Sequence, residues 1–269
     1  LTSIIGTGAG TLTKSGTGTW TLSGASTYTG TTTISNGTIS AGSIIVSGSA
    51  SNLGNAASAV VLGDASNKGT LSYTGGVATY TRGFTLNAGG GEVDSTTALL
   101  TIGTGGISGT GLLTIGGANN ITISSNITSS GGLTKTGAGI LILSGSNTYT
   151  GTTTVSQGTL KAGAANVFGG AASTSALSMN GGTLDMAGFS EAFGSLTGSS
   201  GSITSTAVGT FTLTIGYDNT SPAVYSGTIL VGSSTSFSLT KLGSGTLTLS
   251  GANTYNGTTT INAGTLAYG

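Results

Sequence analysis

The sequence predicts an all-β solenoid built from tandem repeats. Three observations support this prediction. One long phrase occurs three times, its segments alternate apolar and polar residues, and no segment has the 3.6-residue period of a helix. Alternation with a period of two indicates a strand with one buried face. A sandwich or a barrel could also use short strands, but tandem copies favour a stack of coils that can be extended.

The repeated phrase occurs without insertions at residues 12–42, 133–163 and 239–269. The intervening segments, 43–132 and 164–238, match each other more loosely. Their length differences are scattered between the matching stretches, as expected for insertions in the turns of a repeat array. We therefore predict one continuous solenoid over residues 1–269.

Alternation within the phrase defines its strands. Trp20 and Leu22 stand at alternate positions of the segment 19–23, so both are expected on the buried face. The second copy departs from this pattern, because Ile140-Leu141-Ile142-Leu143 places apolar side chains on both faces. We expect another element to cover its outer face. The β-branched run Thr31-Thr32-Thr33-Ile34 predicts the following strand.

Coils are expected to be short, because Gly recurs along the whole chain and each Gly suits a corner. A coil of a parallel β-helix takes roughly 20–25 residues, which predicts about 11–13 coils for this chain. Ile, Leu, Val and Phe should stack on their counterparts inside the solenoid. Thr and Ser should form ladders outside.

Composition excludes several classes of function. Charged residues make up 4% of the chain, with six basic and six acidic residues, whereas an ordinary domain has about 25%. Six scattered basic residues cannot form the basic stripe that nucleic acid requires, nor a polybasic membrane patch. No apolar run approaches the ~18 residues of a membrane helix. The positive mean hydropathy argues against a disordered low-complexity chain.

The phrase resembles the autotransporter-associated β-strand repeat, also called the passenger-associated transport repeat. The third copy carries the resemblance most fully, since residues 243–266 read GSGTLTLSGANTYNGTTTINAGTL. The first copy departs at Trp20 and Ser26, where the others have Leu and Asn. The resemblance implies a right-handed parallel β-helix in an autotransporter passenger, exported across the outer membrane to the bacterial cell surface.

Few residues are candidates for catalysis. The chain has no His and no Cys, so the usual catalytic triads and His or Cys zinc sites are excluded. The acidic residues are Asp64, Glu92, Asp94, Asp185, Glu191 and Asp218. Glu92 and Asp94 would share one face of a strand and could form a glycosidase-like pair. A solvated outer face is the favoured interpretation. We predict no catalytic, cofactor-binding or metal-binding residues, and no cofactor.

Two residue types recur at fixed places in the phrase, namely Lys14, Lys135 and Lys241, and Tyr28, Tyr149 and Tyr255. Each Lys is expected to lay its stem on the coil and keep its amine in water; a ligand-binding role is the alternative. Each Tyr is expected to close the coil edge, and a platform for glycan stacking is the alternative. An ice-binding Thr array is disfavoured, since Thr strands do not recur in every coil of the sequence.

The sequence therefore predicts a non-enzymatic, extracellular structural module of a bacterial surface protein: a stalk, sheath or end-to-end filament. A glycan- or host-binding adhesin is the alternative, and a polysaccharide-cleaving β-helix is a lesser one. Neither terminus has a polar, charge-rich cap. We expect either continuation in a longer chain or end-to-end self-association. Surface glycans are possible partners, and neither nucleic acid binding nor membrane insertion is expected.

Overall fold

A computed structural model describes residues 2–6, 8–44 and 49–269. Its contacts divide the chain into two compact units. Unit 1 comprises Leu1–Gly131 with Gly137–Gly139, and unit 2 comprises Gly132–Thr136 with Ile140–Gly269. The described residues form strands and turns with no helix, and within each unit the strands stack in parallel as turns of a β-solenoid, about 12 turns in total. The predicted fold class is confirmed.

The strands of unit 1 form three parallel stacks. The strands are β1 (Leu12–Lys14), β2 (Thr19–Leu22), β3 (Thr32–Ile34), β4 (Gly37–Ala41), β5 (Val60–Leu62), β6 (Gly69–Tyr73), β7 (Ala78–Tyr80), β8 (Phe84–Leu86), β9 (Gly91–Ser95), β10 (Leu100–Ile102), β11 (Ile107–Gly109), β12 (Leu113–Gly116) and β13 (Ile121–Ile123). The stacks run in the orders β1-β3-β5-β8-β11, β2-β4-β6-β9-β12 and β7-β10-β13. Each coil thus contributes to more than one face of the solenoid.

Unit 2 continues the same kind of stacking with longer strands. Its strands are β14 (Leu133–Lys135), β15 (Ile140–Leu143), β16 (Thr153–Val155), β17 (Thr159–Ala162), β18 (Leu177–Asp185), β19 (Glu191–Phe193), β20 (Leu196–Thr204), β21 (Thr210–Ile215), β22 (Thr228–Ile229), β23 (Ser236–Lys241), β24 (Thr246–Leu249), β25 (Thr259–Ile261) and β26 (Thr265–Tyr268). One stack runs β19-β21-β23-β25, and β24 pairs with β26. The first part of β18 pairs with β16 and its last part with β17, so one strand crosses a corner that separate strands form elsewhere.

The spacing of hydrogen-bonded residues gives the length of a coil. Hydrogen bonds between neighbouring coils join residues 21 to 24 positions apart, as from Thr128 to Ile107 and from Asn87 to Gly63. The predicted coil length is confirmed in these coils. The coil between β4 and β6 is longer, because Gly37 pairs with Gly69 across the inserted loop between them.

Apolar side chains form continuous rows inside each unit. One row of unit 1 consists of Ile39, Leu71, Val93 and Ile115, and one row of unit 2 consists of Leu160, Leu184, Ile203 and Ile229. All eight side chains are at most 1% exposed. Burying each contributes about 1.5–3 kcal/mol relative to leaving it in water. The stacked rings of Phe168 and Phe193, with centroids 5.6 Å apart, extend this pattern to aromatic residues.

Two expectations about apolar residues need correction. Leu22 is buried as predicted, but Trp20 is 38% exposed, because no described strand pairs with β2 on the side away from β4. Its ring instead lies 5.5 Å from the Lys14 Nζ. In the second phrase, Ile140 and Ile142 are half-buried. Their shielding comes from β17 in the same sheet, where they pair with Thr159 and Lys161, rather than from the separate covering element we expected.

Candidate functional site

The repeated lysines are buried, which corrects the expectation that their amines lie in water. Lys14, Lys135 and Lys241 are at most 2% exposed. The Lys14 Nζ donates to the carbonyl oxygens of Ser15 at 3.0 Å, Gly16 at 2.5 Å and Asn36 at 3.0 Å. A buried ammonium is tolerated when its donors are all engaged. These carbonyls close two successive turns, so the side chain ties one coil to the next.

The other two lysines repeat this arrangement. The Lys135 Nζ donates to the carbonyl of Thr136 and, at 3.5 Å, to that of Gln157 in the following coil. The Lys241 Nζ donates to the carbonyls of Leu242 and, at 2.9 Å, Gly243. Burial lowers the pKa of Lys241, and the carboxylate of Asp218 opposes that shift.

One glycine accompanies each lysine. Gly37, Gly158 and Gly264 occupy the same position in the phrase and have φ values of 71°, 70° and 70°, a region that favours Gly. A Cβ on Gly37 would lie 2.8 Å from the Lys14 Nζ and 2.5 Å from the Gly16 carbonyl oxygen. A Cβ on Gly264 would lie 2.9 Å from the Lys241 Nζ. We call each of these three Lys and Gly pairs a lysine clamp.

The repeated tyrosines close the coil, as expected. Tyr28 is 3% exposed and Tyr149 is 1% exposed. Their hydroxyls share hydrogen bonds with the Oγ1 atoms of Thr32 at 2.7 Å and Thr153 at 2.8 Å. Burial raises the pKa of both phenols. Neither ring can stack on a glycan in this structure, whereas Tyr255, bonded in the same way to Thr259, is half-exposed.

Two of the candidate acids lie where the sequence placed them. Glu92 and Asp94 project from the outer face of β9 and are half-buried. Glu92 forms an ion pair with the exposed Lys68. Within the described ranges, no group of three or more acidic side chains could hold a metal ion.

The half-buried Asp64 and Asp218 cap turns. The Asp64 Oδ1 accepts hydrogen bonds from the backbone N–H groups of Ser66 at 2.8 Å and Asn67 at 2.7 Å. These bonds, with one from the Asn67 side chain, lower the pKa of Asp64. Asp218 accepts from the N–H of Thr220 at 3.0 Å and from its hydroxyl at 2.9 Å. Both carboxylates therefore have a local structural role.

Asp185 is 2% exposed and joins two coils. Its Oδ1 accepts from the N–H groups of Ala187 and Thr206, both at 2.9 Å. Its Oδ2 accepts from the Thr206 hydroxyl at 2.7 Å and lies 3.0 Å from the Lys161 Nζ. Burial raises the pKa of Asp185, but the hydrogen bonds from Thr206, Lys161 and Ala187 outweigh it and leave the pKa lowered.

Glu191 and Arg82 hold equivalent loops, which sequence analysis missed. The Glu191 Oε2 accepts from the Val167 N–H at 3.1 Å, while its Oε1 is buried without a partner. Burial raises the Glu191 pKa to about 8, against hydrogen bonds from the loop 166–168. In unit 1, the Arg82 Nη1 donates to the Leu53 carbonyl at 2.7 Å. The sequence did carry one signal for these two residues. Each is a charged residue in a loosely matched segment of a chain that has few charges.

Hydroxyl groups line the outer faces. Ranks of threonines on successive paired strands include Thr79, Thr101 and Thr122 in unit 1 and Thr214, Thr240 and Thr260 in unit 2. These side chains are half-buried or exposed. The predicted ladders are confirmed, although Thr does not recur in every coil, since Thr33 pairs with Val61 of the next coil. The lateral surface thus offers uncharged donors and acceptors. Among the residues described, no helix is long and apolar enough to cross a membrane.

Comparison with known proteins identifies the repeat. A family model for the passenger-associated transport repeat matches residues 12–41, 133–162 and 239–267, each of which contains one lysine clamp. The chain is 40% identical over 247 residues to a protein named adhesin BmaC autotransporter, from Brucella suis biovar 1 (strain 1330). That alignment covers 90% of this chain and 6% of the relative, so the chain spans a small part of the relative's length. A comparison with solved structures finds no significant match.

Proposed function

Because three segments of the chain match the passenger-associated transport repeat, we propose that it is a structural β-solenoid module of a bacterial surface protein. It serves as part of a stalk, sheath or filament in an exported passenger. The observation that carries this proposal is the lysine clamp. It recurs in all three matched repeats and joins successive turns in the first two. The most strongly repeated residues of the chain are therefore used for stacking.

The charged residues support a role without catalysis. Six of them are at most 4% exposed: Lys14, Lys135, Lys241, Arg82, Asp185 and Glu191. Each makes hydrogen bonds to backbone groups of turns or loops. The candidate carboxylate pair is also engaged in a structural contact, since Glu92 forms an ion pair with Lys68. We propose that the chain is not an enzyme and that these charges hold turns together.

We further propose that the two units belong to one solenoid over residues 1–269. We propose that this solenoid is extended, either by further coils of a longer chain or by end-to-end stacking of copies. The relative supports extension, because its similarity to this chain covers both units while leaving most of its own length outside the alignment. Stacking of copies would be a heterologous contact, which can propagate into a filament.

Surface labelling combined with electron cryo-microscopy tests this function. Bacteria that carry the parent protein with an epitope tag inside residues 64–68, an exposed turn, should bind the antibody without permeabilisation. Purified chain should give particles or fibres with an axial layer spacing of about 4.8 Å. An epitope that is accessible only after lysis, or particles without that spacing, would contradict the proposal.

An adhesin is the second candidate function. The name of the relative favours it, and so do the uncharged hydroxyl ranks on the lateral faces. Adhesion is compatible with a structural module, because a ligand could bind a lateral face while the coils carry it away from the cell. An adhesion assay with cells that display the parent protein tests it. Loss of adhesion on removal of residues 1–269 is the expected result.

A further inference from the structure

A cleft lies on the surface of unit 1 between two stacked turns. It has a volume of about 400 Å³ and lies between residues 103–108 and residues 124–128. Its lining includes Thr104, Ser108, Ser124, Ser125, Asn126 and Thr128, together with glycine backbone. Small-molecule sites commonly have volumes of about 300–1,000 Å³. The cleft is therefore large enough for a small ligand or for one or two units of a polymer.

Ser125 gives the cleft a polar group that the fold itself does not use. Its side chain is 7% exposed, and its Oγ is buried without a hydrogen-bond partner in the structure. Buried hydroxyls in proteins nearly always have a partner, so such a group needs an explanation. In the neighbouring turn, no hydrogen bond between described residues engages the backbone N–H of Thr104 or Gly105. The cleft thus combines unused donors with hydroxyls that can donate or accept.

The lining selects the kind of ligand. No charged side chain is among the lining residues. Hydroxyl and amide groups both donate and accept, which suits a ligand that also carries both functions at many positions. A phosphate or carboxylate ligand would instead favour a lining of donors and cations. The arrangement matches a neutral polyhydroxylated molecule, whose hydroxyls can pair with both sets of groups.

The matching turn of unit 2 contains a carboxylate that accepts hydrogen bonds from its own turn, and the cleft of unit 1 has no such carboxylate in its lining. The stretch Leu213–Gly216 repeats Leu100–Gly103, but the turn after Gly216 contains Asp218. That carboxylate accepts from the N–H and the hydroxyl of Thr220 at 3.0 and 2.9 Å. The N–H and the hydroxyl of Thr220 are therefore satisfied within that turn, whereas the Ser125 hydroxyl of unit 1 has no partner.

We propose that this cleft binds a neutral glycan, through Ser125, the turn at Thr104 and Gly105, and the hydroxyls around them. The proposal deepens the second candidate function above and rests on it, because it assigns the adhesin a ligand class and a place on unit 1.

Substitution in the cleft tests the proposal. Ser108 is exposed at the cleft and pairs with Thr85 of the preceding coil, which is outside the lining. Ser108→Trp should fill the cleft, and Thr85→Trp is the matched control on the same face. The full 269-residue chain and both variants would be applied to an array of neutral, sialylated and sulfated oligosaccharides. Dissociation constants for the neutral glycans retained would then be measured by isothermal titration calorimetry.

We expect neutral glycans to bind the native chain and Thr85→Trp alike, and Ser108→Trp to lose about tenfold or more in affinity. Ser125→Ala should lose about threefold or more while its thermal unfolding midpoint stays level or rises, because the unpaired hydroxyl is gone. Binding that survives in Ser108→Trp would place the glycan elsewhere, overturning this site but not the adhesin. Exclusive binding of charged glycans would also overturn the proposal. A folded chain that binds no glycan would overturn it while leaving the structural function standing.

Discussion

Charged side chains of opposite sign hold equivalent loops in the two units. Arg82 donates to the carbonyl of Leu53, and Glu191 accepts from the N–H of Val167, the residue that corresponds to Leu53. A peptide group offers both a donor and an acceptor, so either charge can anchor a loop. A loop is therefore anchored wherever a buried charged side chain lies within hydrogen-bonding distance of its backbone groups, whatever the sign of the charge.

Glu191 should make folding sensitive to pH. Its pKa is raised to about 8 by burial, from about 4.3 in an unfolded chain. The stability that its protonated form contributes is complete below the unfolded pKa and is lost as the pH rises toward about 8. Wild-type stability should fall by about 3 kcal/mol between pH 6 and pH 9 because of this group, and Glu191→Gln should remove that fall. Denaturant unfolding at both pH values measures it. An unchanged pH dependence in the variant would contradict the assignment.

The lysine clamp can be tested with a side chain of similar length. Lys135→Met removes the donor that the carbonyls of Thr136 and Gln157 share. Leaving these partly buried carbonyls without a donor should lower the free energy of unfolding by about 1–3 kcal/mol. Lys68→Met is the control, because Lys68 forms an exposed ion pair worth about 0–1 kcal/mol. Equal effects of the two substitutions in denaturant titrations would argue against a structural role for the buried ammonium.

At the scale of strands and turns, the sequence was most informative where one face is buried. Alternation correctly placed Leu22 on a buried face, and the expected stacking of apolar residues holds in the rows through Leu71 and Leu184. It failed for the clamp lysines, because a charged residue in a strand suggests solvent and gives no sign that carbonyls of two turns converge on it. The strand β18 was also unexpected, since it runs through Gly181 and Gly182. Its parallel neighbours on both sides outweigh the weak strand propensity of Gly.

The glycine of the clamp should tolerate no side chain. Gly37→Ala would require a residue with a Cβ to adopt a φ of 71° and would place that Cβ 2.8 Å from the Lys14 Nζ. We expect a loss of about 1–3 kcal/mol in the free energy of unfolding. Gly18→Ala, in the facing turn, is the control, because its φ is ordinary and nothing lies within 4 Å of the added Cβ. Thermal unfolding of both variants should show a lower midpoint for Gly37→Ala alone.

At the scale of the whole molecule, three copies of one phrase sufficed to predict a solenoid fold and the family of the repeat. The cleft at Ser125 could not be predicted in this way. It arises where two turns of the loosely matched segment, 103–106 and 124–128, stack on each other. The lengths of the coils decide which turns stack on each other. Those lengths vary with insertions that lie outside the repeated phrase. Structure was needed to find the part of the molecule that differs between its repeats.

Removal of one whole repeat tests whether residues 1–269 form one solenoid. Deleting residues 133–238 joins residue 132 to the third phrase, whose Leu239-Thr240-Lys241 replaces the identical Leu133-Thr134-Lys135. In a solenoid each coil contacts its neighbours alone, so the shortened chain should still fold. Its urea m-value should fall by roughly two fifths, in proportion to the surface removed. Deleting residues 133–228 keeps ten more residues but breaks the register, so strands would present polar residues to the core. We expect the first variant to retain a cooperative transition and a β-type circular dichroism spectrum, and the second to lose both. If both deletions unfold alike, the units do not share one repeat register.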